Sequence, residues 1–281
     1  MLKHQEGFLS IAGKDEIYFQ AWLPESAPKA CLLVVHGLAE HSGRYQNLVD
    51  YFGPRSYAIY ALDHYGHGKS AGPRVFVERF EVFTDTLKRF FDQIQATHPG
   101  LPIFLVGHSM GGLIAAKYLL QHQEDLAGAI LSGPAVKVSE SISSLTINMA
   151  HLLSKIMPKA GLVQLDASAV SRDPEVVRAY QNDPLVYNGK TTARLGAELL
   201  KATLDLKEKA SEIELPLLIM QGSEDQLVDP SGAKEFYAAV ASPDKTLKLY
   251  EGLYHEIFNE PERLQVFADM EHWLEQHLPA E

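Results

Sequence analysis

The sequence predicts an α/β fold, with a mostly parallel central sheet flanked by helices and one helical insertion. Three observations carry that expectation. Short continuous apolar runs alternate with stretches whose apolar residues recur at helical spacing, which is the pattern of βα units covering both faces of a sheet. The segment LPIFLVGHSMGG, residues 101–112, drives an apolar run directly into a glycine-bounded serine and then into an apolar helical stretch. From about residue 135 to 213 the alternation stops, and helical patterns and proline-marked turns replace it.

In chain order, residues 17–22 alternate and suit an early, half-exposed strand. Residues 30–35 are continuously apolar and read as a buried strand that ends in HGLAEHSGRY. Residues 58–62 read as a second such strand, ending in DHYGHGKS, where Gly66 and Gly68 serve a tight turn. Phe80, Phe83, Leu87, Phe90, Phe91 and Ile94 fall on one face of a helix. Residues 103–106 are a strand and 113–120 the helix behind it. Further strands are expected at 126–131, 217–220 and 246–250. A last helix over 262–278 presents Leu264, Phe267, Met270, Leu274 and Leu278 on one side. No internal repeat or low-complexity linker is evident, and a chain of 281 residues suits either one α/β domain or two small ones.

Between strand 103–106 and helix 113–120, Gly-x-Ser-x-Gly has the strand–turn–helix context of a nucleophile elbow. Ser109 stands at its tip, with the Met110 backbone N–H and the helix N-terminus aimed at a developing oxyanion. Such a serine needs a base and an acid later in the chain. With 12 histidines, position must choose. His255, in EGLYHEIFNE, follows strand 246–250 at the carboxyl edge of the sheet, where ligands bind. His272 and His277 fall on the last helix and read as solvated, and His122 and His151 read as helix packing or surface residues. For the acid, QGSEDQLVD offers Glu224, Asp225 and Asp229. Asp229 precedes Pro230 and reads as a helix cap, which leaves Asp225 to orient the His255 ring. The alternative loop, SGPAVKVSE, holds only Glu140. The second oxyanion donor is assigned to the Leu38 N–H in the HGLAE turn.

The division expected is therefore a core of residues 1–135 and 214–281 with a helical cap, 136–213, inserted in it. Ile142, Leu145, Met149, Leu152, Leu153 and Ile156 form an apolar stripe there. It either packs the insertion onto the core, or belongs to a cap over the active site that guides an acyl chain, rests on a lipid surface, or does both. Asp173 and Asp183, each before a proline, read as caps or turn formers.

A formal net charge of −11 without a Lys/Arg block argues against nucleic acid, and it makes any membrane contact apolar, local and transient, through the cap. Cys31 is the single cysteine, so no internal disulfide forms, and its strand-like surroundings make it a buried small hydrophobe. Histidines at 36, 41, 64 and 67, with Asp63, match no metal-ligand spacing, and no GxGxxG follows the first strand. No metal and no cofactor are expected. Without a signal-like or bilayer-length apolar run, the expected location is cytoplasmic, with peripheral contact at membranes.

Taken together, HGLAEHSGRY, DHYGHGKS, GHSMGG, GSEDQLVD and YHEIF resemble the monoacylglycerol lipase and lysophospholipase family of serine α/β-hydrolases. The likeness runs from about residue 30 to the last helix and is weakest in the cap. It implies the α/β-hydrolase fold, Ser109, Asp225 and His255 as a triad, and Leu38 and Met110 as oxyanion donors. It implies a small lipid ester as substrate, a monoacylglycerol first, cleaved to glycerol and a free fatty acid through an acyl-enzyme on Ser109, with lysophospholipase or general carboxylesterase activity as the alternative, and acyl transfer or non-catalytic binding further off. It also implies that Glu40 and Arg44 shape a polar pocket end near glycerol, against a plain structural ion pair under the cap. Two departures stand out. Ala39 replaces a frequent glycine, and Phe258 occupies the position where glycerol-reading members can carry a second histidine.

Overall fold

The structure, a computed structural model, describes residues 2–11, 16–138 and 152–279. Ten strands are found among them: β1 (Lys3–Ser10), β2 (Glu16–Leu23), β3 (Ala30–Val35), β4 (Tyr57–Leu62), β5 (Ile103–His108), β6 (Gly128–Ser132), β7 (Gly161–Gln164), β8 (Lys190–Thr192), β9 (Leu217–Gly222) and β10 (Lys245–Tyr250). The helices are α1 (Gln46–Phe52), α2 (Glu81–Thr97), α3 (Met110–His122), α4 (Pro174–Asn182), α5 (Ala193–Lys209), α6 (Ser231–Ala239) and α7 (Arg263–Gln276). Eight strands form one sheet in the order β1-β2-β4-β3-β5-β6-β9-β10. β1 and β2 run antiparallel at one edge, and everything from β4 to β10 is parallel.

Strand periodicity divides the core in two. Along β3, Cys31, Leu33 and Val35 face a layer built with α2, α3, α5 and α6, whereas Ala30, Leu32 and Val34 face α1 and α7. Every residue of β3, β4, β5, β6 and β9 is buried, which is why these strands read as continuous apolar runs rather than alternating ones. The order reverses at β3, because its neighbours β4 and β5 leave in opposite directions across the sheet. Loops at the carboxyl ends of such neighbouring strands form a crevice at that point.

The insertion between β6 and β9 carries α4 and α5, but it also contains β7 and β8, paired antiparallel. β7 is exposed along its length, so neither a buried run nor a clean alternation marked it in the sequence. Of the apolar stripe, Ile142, Leu145 and Met149 lie outside the described residues, as do Glu140 and His151. Leu152 and Ile156 are exposed and Leu153 is half-buried, so two of the three described residues of the stripe do not pack onto the core. β1 was not expected either, because its side chains are mostly exposed and too polar to signal a strand. His277 corrects the solvated reading of the last helix: its ring stacks on Trp273 at 4.0 Å and hydrogen-bonds to Asp244 at 2.9 Å.

Candidate active site

β5 ends at His108, and the chain turns into α3 through Ser109, which holds φ 56° and ψ −121°. A positive φ costs a residue with a Cβ about 1–2 kcal/mol, so the surroundings must impose it. They do. The Ser109 N–H donates to the Ser132 carbonyl at 3.0 Å, and its carbonyl accepts from Gly112 N at 2.9 Å and Ala135 N at 3.0 Å. The glycines permit the approach: a Cβ on Gly111 would lie 2.0 Å from the Val35 carbonyl oxygen, and one on Gly107 would lie 2.6 Å from the Gly111 oxygen. Helix and strands are thereby pressed together beneath a serine that remains partly accessible.

Beyond β9, the Asp225 carboxylate is buried and fully engaged. Oδ1 accepts from Leu227 N and Val228 N, both at 2.9 Å, and Oδ2 from Gln221 Nε2 at 2.9 Å and His255 Nδ1 at 2.6 Å. Burial alone would raise its pKa, but the His255 bond and the other donors outweigh it and hold the carboxyl below its usual range. Because an ionised carboxylate only accepts, the His255 proton sits on Nδ1 and Nε2 keeps its lone pair. The His255 ring lies against His108, with centroids 4.7 Å apart. His108 is kept neutral, its pKa pushed down to about 4 by burial and by His255. Asp229 lies one residue ahead of Pro230, the N-cap of α6, and its Oδ1 accepts from Ser231 N at 2.9 Å.

After β3, the HGLAE turn is cross-tied from below. His36 Nε2 accepts from His64 N at 2.8 Å, so Nδ1–H donates to the Gly37 carbonyl at 2.8 Å. Asp63 takes the Ser42 N–H and hydroxyl at 2.8 and 2.6 Å and the Lys69 N–H at 2.8 Å. Gly68, at φ +49°, leaves no room for a side chain, since a Cβ would lie 2.1 Å from Asp63 Oδ2. Ala39 adopts φ 65°, the left-handed region that explains why glycine is an easier residue there. The histidines of these loops are buried, and no group of three or more His, Cys, Asp or Glu positioned for a metal occurs among the described residues. Cys31 is fully buried, its thiol pushed up to about 12.

Glu40 and Arg44 are brought together in the same place. Glu40 Oε1 accepts from Gly37 N at 2.6 Å and Tyr45 Oη at 2.8 Å, and Oε2 from Arg44 Nη1 at 2.9 Å. Burial pushes the Glu40 pKa up, yet Arg44, His108, His36 and the Gly37 N–H reverse the effect and leave it at about 2. Glu256 was not singled out in the sequence. It grips Arg44 bidentately, at 2.6 and 2.7 Å, and the Tyr180 ring covers the guanidinium at 4.5 Å. Its position directly after His255 in YHEIF was the available signal.

These groups surround one cavity of about 270 Å³. Gly37, Leu38, Ser109, Met110 and His255 lie on its floor, Glu40 and Glu256 at a polar end, and Leu113, Leu165, Val170, Leu199, Leu200 and Leu227 along an apolar wall. The sequence matches the family described as Hydrolase_4, serine aminopeptidase S33, over residues 26–262. The chain belongs to this hydrolase family. It is 37% identical over 276 residues to a monoacylglycerol lipase of Mycolicibacterium smegmatis, covering 98% of each chain, and 36% identical to the monoglyceride lipase of Homo sapiens, covering 92% of this chain and 87% of that one. The crystal structure of a Paleococcus ferrophilus monoacylglycerol lipase superposes with a TM-score of 0.82 at 28% identity, covering 99% of both chains. The fold of this hydrolase is the α/β-hydrolase fold, as its motifs implied.

Proposed function

We propose that this hydrolase cleaves carboxylic esters of lipids, monoacylglycerols above all, releasing glycerol and a free fatty acid through an acyl-enzyme on Ser109. The observation that carries the reading is His255, its proton fixed on Nδ1 by the buried Asp225, on the same cavity floor as a serine strained outward at an elbow. His255 Nε2 takes the Ser109 proton as the hydroxyl attacks the ester carbonyl, and then delivers it to the departing glycerol oxygen. A water deprotonated by the same nitrogen attacks the acyl carbonyl and frees the fatty acid. The N–H groups of Met110 and Leu38 receive the oxyanion. The Gly37 N–H is already committed to Glu40, which leaves the next amide of the loop for this role. Each donor is worth about 3 kcal/mol.

Glu40, with Arg44 held behind it, forms the alcohol end of the cavity together with Glu256, and the aliphatic wall takes the acyl chain. Residues 136–213 act as the cap, whose exposed apolar residues make transient contact with a membrane or lipid droplet from the cytoplasm. The monoacylglycerol lipase names of the relatives support the substrate class. One observation favours a broader carboxylesterase: Phe258 packs on Phe267 at 5.5 Å, so that position adds no polar ring to the alcohol end.

Intact-mass labelling with a fluorophosphonate, followed by rates on monoacylglycerols, lysophospholipids and p-nitrophenyl esters, tests the reading. Ser109→Ala is expected to lose labelling and to lower kcat by about 10⁶-fold with the fold intact. Parental turnover in that variant would overturn the mechanism, and preference for short soluble esters would move the substrate to the carboxylesterase class.

A further inference from the structure

Glu256 stands out because the chemistry above does not use it. Its backbone N–H is held by the Val170 carbonyl at 2.8 Å, which fixes the side chain at the polar end of the cavity. There Oε1 and Oε2 take Arg44 Nη1 and Nη2, and Oε2 also accepts from Asn259 Nδ2 at 2.9 Å. Asn259 is in turn held from the opposite side, its Oδ1 accepting from Asn47 Nδ2 at 2.9 Å. Arg44 is therefore shared between two buried carboxylates, and one face of it is covered by Tyr180. The cluster of Glu40, Arg44 and Glu256 carries one net negative charge in a nearly solvent-free site.

We infer that Glu256 is a head-group charge filter, which makes the alcohol end accept neutral polyols and reject anionic head groups. A carboxylate oxygen has more than one acceptor position, so a glycerol hydroxyl can donate to Glu40 or Glu256 without displacing Arg44. A phosphate brings negative charge against a site already net negative, and the guanidinium that would bind it is occupied twice over. Without the Glu256 charge, Arg44 balances Glu40 alone, and its second amino group becomes a phosphate donor. The inference rests on the lipid-ester reading and concerns only which head group that site takes.

The test compares kcat/KM for a 1-acylglycerol with that for the 1-acylglycerol 3-phosphate of the same acyl chain, at low ionic strength, in the parental protein, Glu256→Gln, Glu256→Asp and Glu262→Gln. The parental protein is expected to prefer the neutral ester by about tenfold or more, a modest value for like charges in a poorly solvated site. Glu256→Gln should raise the phosphate-to-neutral ratio by about tenfold, because the charge is gone while the shape remains. Glu256→Asp, which keeps the charge but loosens the bidentate grip, should leave the ratio near the parental value. A purely structural role would move Gln and Asp variants together. Glu262→Gln removes the same charge from an exposed site and should leave the ratio unchanged. Equal parental rates on the two substrates, or an unmoved ratio in Glu256→Gln, would overturn the filter. The parental comparison decides even if the Gln variant does not fold. Fluorophosphonate labelling without turnover of either lipid would instead refute the lipid-ester reading.

Discussion

On the cavity floor, Asp225 accepts four hydrogen bonds, His36 bridges two loops, and Arg44 is gripped by two carboxylates. In the insertion that roofs the cavity, by contrast, several apolar side chains between residues 152 and 163 turn outward, with Leu152 52%, Ile156 69%, Met157 57% and Val163 67% exposed. The later part of the roof behaves like the floor. Tyr187 N donates to the Ala39 carbonyl at 2.8 Å, His41 Nε2 to Asp183 Oδ2 at 2.9 Å, and Arg172 Nε to the fully buried Glu260 at 2.7 Å. The roof thus has a fixed half, bonded to the HGLAE turn, to His41 and to the loop of His255, and an outward apolar edge. Buried polar groups tolerate one arrangement and preorganise chemistry, whereas exposed apolar groups have nothing to satisfy within the fold. Changes to the floor should alter turnover or stability, and changes to the apolar edge should alter only the meeting with lipid.

The largest expected effect is at Asp225. Asp225→Asn keeps the shape but lets His255 carry its proton on the wrong nitrogen, and kcat should fall by about 10⁴-fold with KM little changed. A variant with near-parental kcat would show that the floor does not depend on that tautomer. Acid should weaken the floor next. His36, His64, His67 and His108 all have pKa values lowered by burial, to about 3 for His67 and about 4 for His108. The unfolded chain then binds protons more readily than the folded one. Stability is complete above the ordinary histidine value of 6.5 and falls as pH drops below it, down to the folded values. Between pH 7 and 5.5 the loss is about 1 kcal/mol per histidine, and urea midpoints at the two pH values will show it. Unchanged midpoints would mean that the rings find solvation within the fold.

Arg172→Ala tests the fixed half of the roof. It strips the guanidinium from Glu260, which is 0% exposed, and should cost about 3 kcal/mol in thermal or urea unfolding. A change within about 0.5 kcal/mol, typical of an ordinary surface site, would show that the roof is not anchored there. The smallest effect on the folded protein belongs to the outer edge. Ile156→Ser with Met157→Ser should change stability by less than about 0.5 kcal/mol. It should slow hydrolysis of emulsified monoacylglycerol severalfold and leave soluble p-nitrophenyl ester rates as they were. Equal losses on both substrates would place these residues in the cavity's workings rather than at a lipid surface.

The sequence by itself determined the parallel sheet, because doubly covered strands must be continuously apolar: ACLLVV in β3 has all six residues buried. It determined the elbow, since glycines at 107 and 111 flank a serine between strand and helix, and only that spacing lets backbone pass so close to Val35. Asp225 and His255 were legible for the same local reason, each following a strand that ends at the ligand-binding edge of the sheet. Only the tertiary structure decided the rest. Glu256 meets Arg44 across 212 residues of chain, a juxtaposition no local pattern encodes. Ala39 takes a left-handed conformation that its composition disfavours, held there by contacts from Tyr187 and the loop around it. β7 and β8 pair on the roof with mostly exposed residues, where no buried face writes a period into the sequence. Burial leaves a local signature in the order of residues, whereas polar partnerships between distant loops exist only once the chain has closed on itself.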